Sequence, residues 1–501
     1  MGAYAGVDVG TTGARAIVVD ESGSIIASAS SEYPLRTPRP GWSEQDPEDW
    51  WAGASQVLGT VGGKQSIDAI GLTGQMHGSV FLDARRGVIR PALLWNDQRT
   101  ATQCDAITKT VGDERLLAIA GNPALTGFQA PKILWLRDNE RDNFDRVRHV
   151  LLPKDFVRLR ISGDLATDAS DAAGTLLMDV GARTWSDEIL GALAIPVEWL
   201  PLIYEGPEQT GVLTAAAGEE LGLNSGIPIA AGGGDNAAAA VGTGIVEPGR
   251  VSSSIGTSGV VFAHSDVFSP DPSGRLHAFC HAVPGAYHLM GVTLAAGASL
   301  RWWRDVVGRS ASYDELAEHA ARVPPGAEGL LFLPYLTGER TPHLDPRARG
   351  AFVGLSARHD RAHMTRAVME GVAFSLKESM DVMRELGIEI DHVRAIGGGA
   401  RSDTWLQIQA DVFGLPVGRM EIDEGPAYGA ALLGAVAAGA FDDVAEASST
   451  VKLLPEVVEP NMSTAGLYAE LYGTYRTLYP SLRDPMWRLD EIATRGPSSD
   501  H

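Results

Sequence analysis

Residues 3–20, AYAGVDVGTTGARAIVVD, read as two strands around a short turn. β-Branched and apolar residues flank GTTG, where Gly10 and Gly13 permit a tight reversal. A strand ending near Asp8 and running into Gly10, Thr11, Thr12 and Gly13 offers backbone N–H groups and two hydroxyls to a phosphate. The same residues also make an ordinary hairpin. The balance shifts at 250–265, RVSSSIGTSGVVFAHS, where strand, Gly-Thr turn and strand recur. The turns align as DVGTTG (8–13) and SIGTSG (254–259), and the second lacks the aspartate. Two hairpins of one type, half a chain apart, predict a duplicated α/β architecture that breaks near the turn residues GIVEPG at 244–249.

Length agrees with duplication: 501 residues exceed one ordinary core, so two large domains are expected. The net charge of −22 disfavours nonspecific binding to nucleic acid or an anionic membrane. An anion site must therefore be built locally from N–H groups, a few cations or a metal. Cys104 and Cys280, the only cysteines, are too few for a disulfide framework or a zinc site. No signal peptide opens the chain, and the longest apolar run, YGAALLGAVAAGAF at 428–441, is too short and Gly-rich to span a bilayer. A cytoplasmic protein is expected.

Between the two hairpins, WSEQDPEDWWAGASQVLGTV predicts a helix with Asp46 as N-cap and Pro47 at its first position. In the second half, apolar residues at 364, 368, 372, 376, 380 and 383 predict a long helix with one buried face. VRAIGGGARSDTWLQIQADVFG (393–414) predicts a strand, a Gly loop, a Ser402 or Asp403 cap and a helix, a setting that suits a nucleotide. Neither a GxGxxG dinucleotide fingerprint nor a GxxxxGK[ST] phosphate loop is present. The end, EIATRGPSSDH, is expected to fray.

The stretch most in need of explanation is IAAGGGDNAAAAVG (229–242), in which Asp235 and Asn236 stand alone among small residues. A buried carboxylate is costly unless it is paired or used. Asp235 reads either as the cap of the Ala-rich helix or as a working group. GQMHG (74–78) sets Met76 and His77 between glycines, and Trp95, Asn96 and Asp97 in LLWND form the kind of mixed set that lines a sugar site.

Together, DVGTTG, WSEQDPEDWW, GQMHG, LLWND, LLPKDFVRLR, SDAAGT, GGGDNAAAAVG, SIGTSG, FLPYLTGERTPH and IGGGARSD resemble the FGGY family of carbohydrate kinases, in order, from about residue 4 to about residue 480. The resemblance implies an actin-like ATPase (ribonuclease H-like) fold: two duplicated domains, 1–246 and 247–485, with a cleft between them and a tail at 486–501. It implies transfer of the ATP γ-phosphoryl group to a sugar hydroxyl with Mg²⁺. GQMHG points within the family to D-xylulose as acceptor, with D-ribulose, L-xylulose and xylitol as alternatives. By the same resemblance Asp235 is the catalytic base, and Met76, His77 and Asn236 join it in contacting the sugar. Asp8 supports Mg-ATP, holding the metal directly or through water. Thr11, Thr12 and Arg15 match the first phosphate loop, Thr257 the second, and Gly297, Leu300, Gly399, Ala400 and Asp403 the nucleotide pocket. Gln129 and Arg301 depart from the family pattern, which bears on the nucleotide contacts. The implied partners are a small-molecule sugar and ATP, with a homodimer left open and neither nucleic acid nor membrane. A non-catalytic actin-like ATPase would leave the sugar-site residues without a task, and the glycine spacing argues against a dinucleotide-dependent oxidoreductase.

Overall fold

The computed structural model describes residues 2–307, 311–422 and 424–494. The chain forms two compact units, one of Met1–Glu247, His264–His288 and Glu424–Lys452, the other of Pro248–Ala263, Leu289–Asp423 and Leu453–His501.

The sheet of the first unit contains β1 (Ala3–Val9), β2 (Gly13–Asp20), β3 (Ile25–Glu32), β4 (Ala69–Gly74), β5 (Gln209–Val212) and β6 (Pro228–Ala230). Its order is β5–β6–β4–β1–β2–β3. β1 pairs antiparallel with β2, setting Asp8 opposite Arg15, and parallel with β4, setting Asp8 beside Thr73. A two-residue strand, Gly233–Gly234, also pairs in parallel with the end of β4. The carboxyl ends of neighbouring parallel strands thus meet where open α/β sheets bind ligands.

The helix Pro47–Gly62 begins as expected: the Asp46 side chain accepts the Glu48 N–H, and Pro47 opens the first turn. Trp50, Ala54, Leu58 and Val61 are buried on one stripe, and burying an aliphatic side chain of this kind stabilises by about 1.5–3 kcal/mol. The small-residue run near residue 430 forms the helix Gly425–Ala437, which packs against β1 and β4. Only glycine fits at Gly71 in β4, where an added Cβ would stand 1.8 Å from the Ala430 carbonyl oxygen. Gly429 likewise admits the helix Asp235–Gly242, since a Cβ there would stand 1.7 Å from the Ala238 oxygen. These close approaches place 424–452 in the first unit, so the units interleave in sequence instead of dividing once near residue 246. No helix among the described residues is long and apolar enough to cross a membrane.

The second unit repeats the scheme with β7 (Gly249–Ile255), β8 (Gly259–Ser265), β9 (Tyr287–Thr293), β10 (Ile390–Ile396), β11 (Val417–Met420) and β12 (Leu453–Val458). Among these strands the order is β9–β8–β7–β10–β11–β12. β7 is antiparallel to β8 and parallel to β10, β10 is parallel to β11, and β11 is antiparallel to β12. In the first unit β1/β2, β1/β4, β4/β6 and β5/β6 have the same directions in turn. The duplication inferred from two turns therefore extends through both sheets.

The long helix of the second half runs Arg361–Glu385, with Val368, Val372, Leu376, Met380 and Met383 buried. Ser402 caps the helix Asp403–Phe413 by accepting the Trp405 N–H. The helix Ala465–Thr494 runs through 486, where a tail was expected to begin, and takes in Glu491–Thr494 of the end expected to fray; the rest of that end, 495–501, lies outside the described residues.

Candidate active site

In the first unit Asp235 is the first residue of its helix, and Gly234 is the N-cap. The N-cap position weighed for Asp235 is therefore taken by Gly234. Asp235 Oδ1 instead accepts the Asn236 backbone N–H at 2.7 Å and the Asn236 side-chain amide at 2.8 Å. Among the described residues no hydrogen bond reaches Oδ2. Burial pushes the Asp235 carboxyl up to about 6, outweighing the two Asn236 bonds that favour its charge. A carboxylate poised closer to neutrality is the better proton acceptor at such a place.

Asp8, near the end of β1, lies close enough to be affected by that charge. Burial first, and the Asp235 carboxylate second, push Asp8 up to about 7 against the pull of Arg15. Asp8 Oδ1 is enclosed and has no hydrogen-bond partner. Arg15 forms an ion pair with Glu424.

Met76 and His77 converge on the same place. A Cβ on Gly234 would meet Met76 Sδ at 2.9 Å, so the Met76 thioether lies against the residue preceding Asp235. His77 holds a left-handed backbone, φ 68°, a conformation that strains a non-glycine residue and occurs often at functional sites. Its Nδ1 is 2.6 Å from the Gly174 carbonyl oxygen, and its ring stands edge-on to Phe128 at 4.9 Å. The Lys132 ammonium donates to the His77 carbonyl at 2.8 Å and also to that of Gly127. Gln129 donates to the Gly78 carbonyl at 3.1 Å, so this departure from the family pattern supports the GQMHG loop. Neither Gln129 nor Lys132 announces this task in the sequence, since a Lys in a helix reads as a solvated charge.

The first turn is held by side chains. Gln45 donates to the Thr11 carbonyl at 2.7 Å, Gln75 to the Gly10 carbonyl at 3.2 Å and Tyr33 to the same oxygen at 2.6 Å. Thr11 Oγ1 receives the Trp95 indole N–H at 3.0 Å, while Thr12 is exposed. Asp97 is fully buried and accepts from Arg99 and from the Ser43 N–H at 2.7 Å. It braces the fold and does not line a sugar site.

The second unit contains a cavity of about 670 Å³, lined among others by Gly256, Thr257, Gly297, Leu300, Arg301 and Gly399. Its size suits a nucleotide-sized ligand. Arg301, Arg304 and Arg401 bring positive charge to its wall. Ala400 and Asp403 are not part of this lining: Ala400 is buried, and Asp403 points to solvent and pairs with Arg419 at 2.5 Å.

Residues 3–242 match the N-terminal domain and residues 251–438 the C-terminal domain of the FGGY family of carbohydrate kinases. The chain belongs to that family and has its actin-like ATPase fold. It is 42% identical to the xylulose kinase of Escherichia coli (strain K12), covering 96% of this chain and 99% of that one. With the xylulose kinase of Lactococcus lactis subsp. lactis the identity is 41%, covering 98% and 99%. The crystal structure of xylulose kinase from Rhodospirillum rubrum superposes with a TM-score of 0.91 at 31% identity, covering 97% of this chain and 99% of that one.

Proposed function

We propose that the protein transfers the γ-phosphoryl group of ATP to the terminal hydroxyl of D-xylulose, giving D-xylulose 5-phosphate. The observation that carries this reading is Asp235: a half-buried carboxylate with Oδ2 unbonded and its pKa raised, next to a glycine that Met76 packs against, in a chain 41–42% identical to xylulose kinases over 99% of their length. Asn236 orients the carboxylate through Oδ1, leaving Oδ2 to accept the hydroxyl proton as the O–P bond forms. Phosphoryl transfer has a loose transition state, so alignment of the hydroxyl counts for more than its prior deprotonation. Met76, His77 and Asn236 hold the sugar. Thr11, Thr12 and Thr257 contact phosphate oxygens, and Gly297, Leu300 and Gly399 shape the nucleotide pocket.

The residues present fit Mg²⁺. The metal takes one or two carboxylates together with phosphate oxygens and water, and Asp8 Oδ1 is an enclosed carboxyl oxygen without a hydrogen-bond partner. When bound there, the metal neutralises charge on the phosphates. Asp8 holds it directly or through water.

A coupled assay of ADP release across D-xylulose, D-ribulose, L-xylulose and xylitol tests the assignment. D-Xylulose should give the highest kcat/KM. A higher value for another acceptor would reassign the substrate, and ATP consumption that no sugar stimulates would overturn the kinase reading.

A further inference from the structure

SDAAGT (170–175) belongs to the sequence pattern but has no part in the chemistry above. It forms the short helix Ala169–Ala173, with Asp168 as N-cap and Gly174 at the end. All of its residues are buried. One end touches the segment carrying the base: Ser170 Oγ accepts the Gly234 N–H at 3.0 Å. A Cβ on Gly233 would come within 3.3 Å of the same oxygen. The other end touches the sugar pair: the Gly174 carbonyl is 2.6 Å from His77 Nδ1, and a Cβ on Gly174 would meet that nitrogen at 2.7 Å and Met76 Cε at 2.9 Å.

This turn is itself clamped. Ser170 Oγ donates to Asp168 Oδ1 at 2.5 Å, which fixes the hydroxyl lone pairs toward Gly234. Asp168 Oδ2 is 2.7 Å from Lys154 Nζ, which also lies 2.7 Å from Asp155 and 3.0 Å from Asp171. Arg158 donates to the carbonyls of Ala230, at 2.8 Å, and Ala231, at 2.5 Å, just upstream of the glycines. Lys154, Arg158, Asp168 and Ser170 are fully buried, and none is placed to touch substrate. A buried ion cluster gives little net stability compared with apolar packing of the same volume. What it does supply is fixed geometry.

We infer that the 168–174 turn is a spacer that sets the separation between the base and the sugar-holding pair, with Ser170 the positioning residue for Asp235 and Gly174 the positioning residue for His77. The inference rests on the kinase reading proposed above. A backbone shifted by a fraction of an ångström at Gly234 moves the carboxylate away from the hydroxyl it must meet, and misplacement of about 1 Å can cost ~10²-fold in rate. Displacement of His77 acts on sugar affinity instead. The two ends of one turn therefore control different kinetic constants.

The test uses the full-length protein, with D-xylulose and ATP varied separately and sugar binding measured by calorimetry without nucleotide. Ser170→Ala should lower kcat by about tenfold with sugar and ATP affinities unchanged, and Ser170→Thr, which restores the hydroxyl, should recover most of the loss. Gly174→Ala should weaken sugar binding by about tenfold while kcat at saturation changes little. Circular dichroism and thermal unfolding identify a variant that has failed to fold, and where Ser170→Ala is one, Ser170→Thr and a folded Ser170→Cys variant carry the decision: wild-type kcat in the first beside a kcat lowered about tenfold in the second supports the spacer, and equal kcat in both overturns it. Ser170→Ala with wild-type kcat also overturns it, as does Gly174→Ala with wild-type sugar binding. Asp235→Ala, assayed alongside, separates the two claims. If that variant keeps full activity, the kinase-site reading fails regardless of Ser170. If it loses activity while Ser170→Ala does not, only the spacer fails.

Discussion

The two Gly-Thr turns have aligned sequences but close and are braced differently: the Gly10 N–H donates to the Gly13 carbonyl, whereas the Gly256 N–H donates to that of Ser258. In the first, the Gly10 carbonyl is held by the side chains of Tyr33 and Gln75. In the second, the equivalent Gly256 carbonyl accepts the Gly297 backbone N–H at 2.9 Å, and Ala298 donates to Thr257 at 3.1 Å. The strand entering the first turn carries Asp8, and the strand entering the second carries Ser254 at the matching position. Duplication thus supplied two similar scaffolds, and the residue at one strand end separates them chemically. The first unit has a pair of carboxylates with raised pKa values, whereas the second has a Gly-lined cavity with arginines on its wall.

That division is tested most severely at Asp235. Asp235→Ala should lower kcat by about 10²-fold or more, because on the proposed reading it removes a positioned proton acceptor. Binding of ATP, measured by calorimetry, should be unchanged, since the cavity proposed for the nucleotide belongs to the other unit. A variant that lost both would show that the division of labour is wrong. The same residue predicts the acid limb. Protonated Asp235 cannot accept the hydroxyl proton, so kcat should fall as pH drops, reaching half its plateau near 6. An unperturbed aspartate would place that midpoint at about 3.9.

Asp8→Ser gives the first turn the residue of the second. If Asp8 is what distinguishes them, kcat should fall by roughly tenfold and the Mg²⁺ concentration for half-maximal rate should rise. An unchanged metal requirement would place the metal elsewhere. Gly297→Ala works on the other side of the comparison. Its Cβ would stand 2.3 Å from the Gly256 oxygen, so the second turn must shift. Overpacking of this kind costs about 1–3 kcal/mol; where about 1.4 kcal/mol of it falls on the nucleotide-bound state, the KM for ATP should rise about tenfold with little change in the KM for sugar.

How much of this the sequence disclosed follows the range of the interactions. The turns and the Asp46 and Ser402 caps are local, and their letters predict them. The two repeated turns, together with the agreeing lengths of the halves, indicate duplication because each turn is specified by a few adjacent residues. The return of 424–452 to the first unit depends on Gly71 and Gly429 making room for facing backbones, and one sequence does not display such complementarity. Asp235 stood out because a carboxylate among alanines is conspicuous. Its raised pKa did not, since burial depends on the whole unit. Gln45, Lys132 and Ser170 were silent for a related reason: each acts on the backbone of a segment far away in the chain.

The smallest expected effect addresses the bracing itself. Tyr33→Phe removes a hydrogen bond of 2.6 Å to the Gly10 carbonyl, but Gln75 still donates to that oxygen, so no buried acceptor is stranded. The cost should be that of one net hydrogen bond, about 0.5–1.5 kcal/mol, and it should fall locally. Hydrogen exchange at the amides of residues 10–13 should speed up by about fivefold, with activity reduced less than about threefold. Exchange in the second turn should not change, because its matching carbonyl is held by a backbone N–H that Tyr33 does not supply. Equal acceleration in both turns would mean that they share one stability, and the contrast between side-chain and backbone bracing would then carry no functional weight.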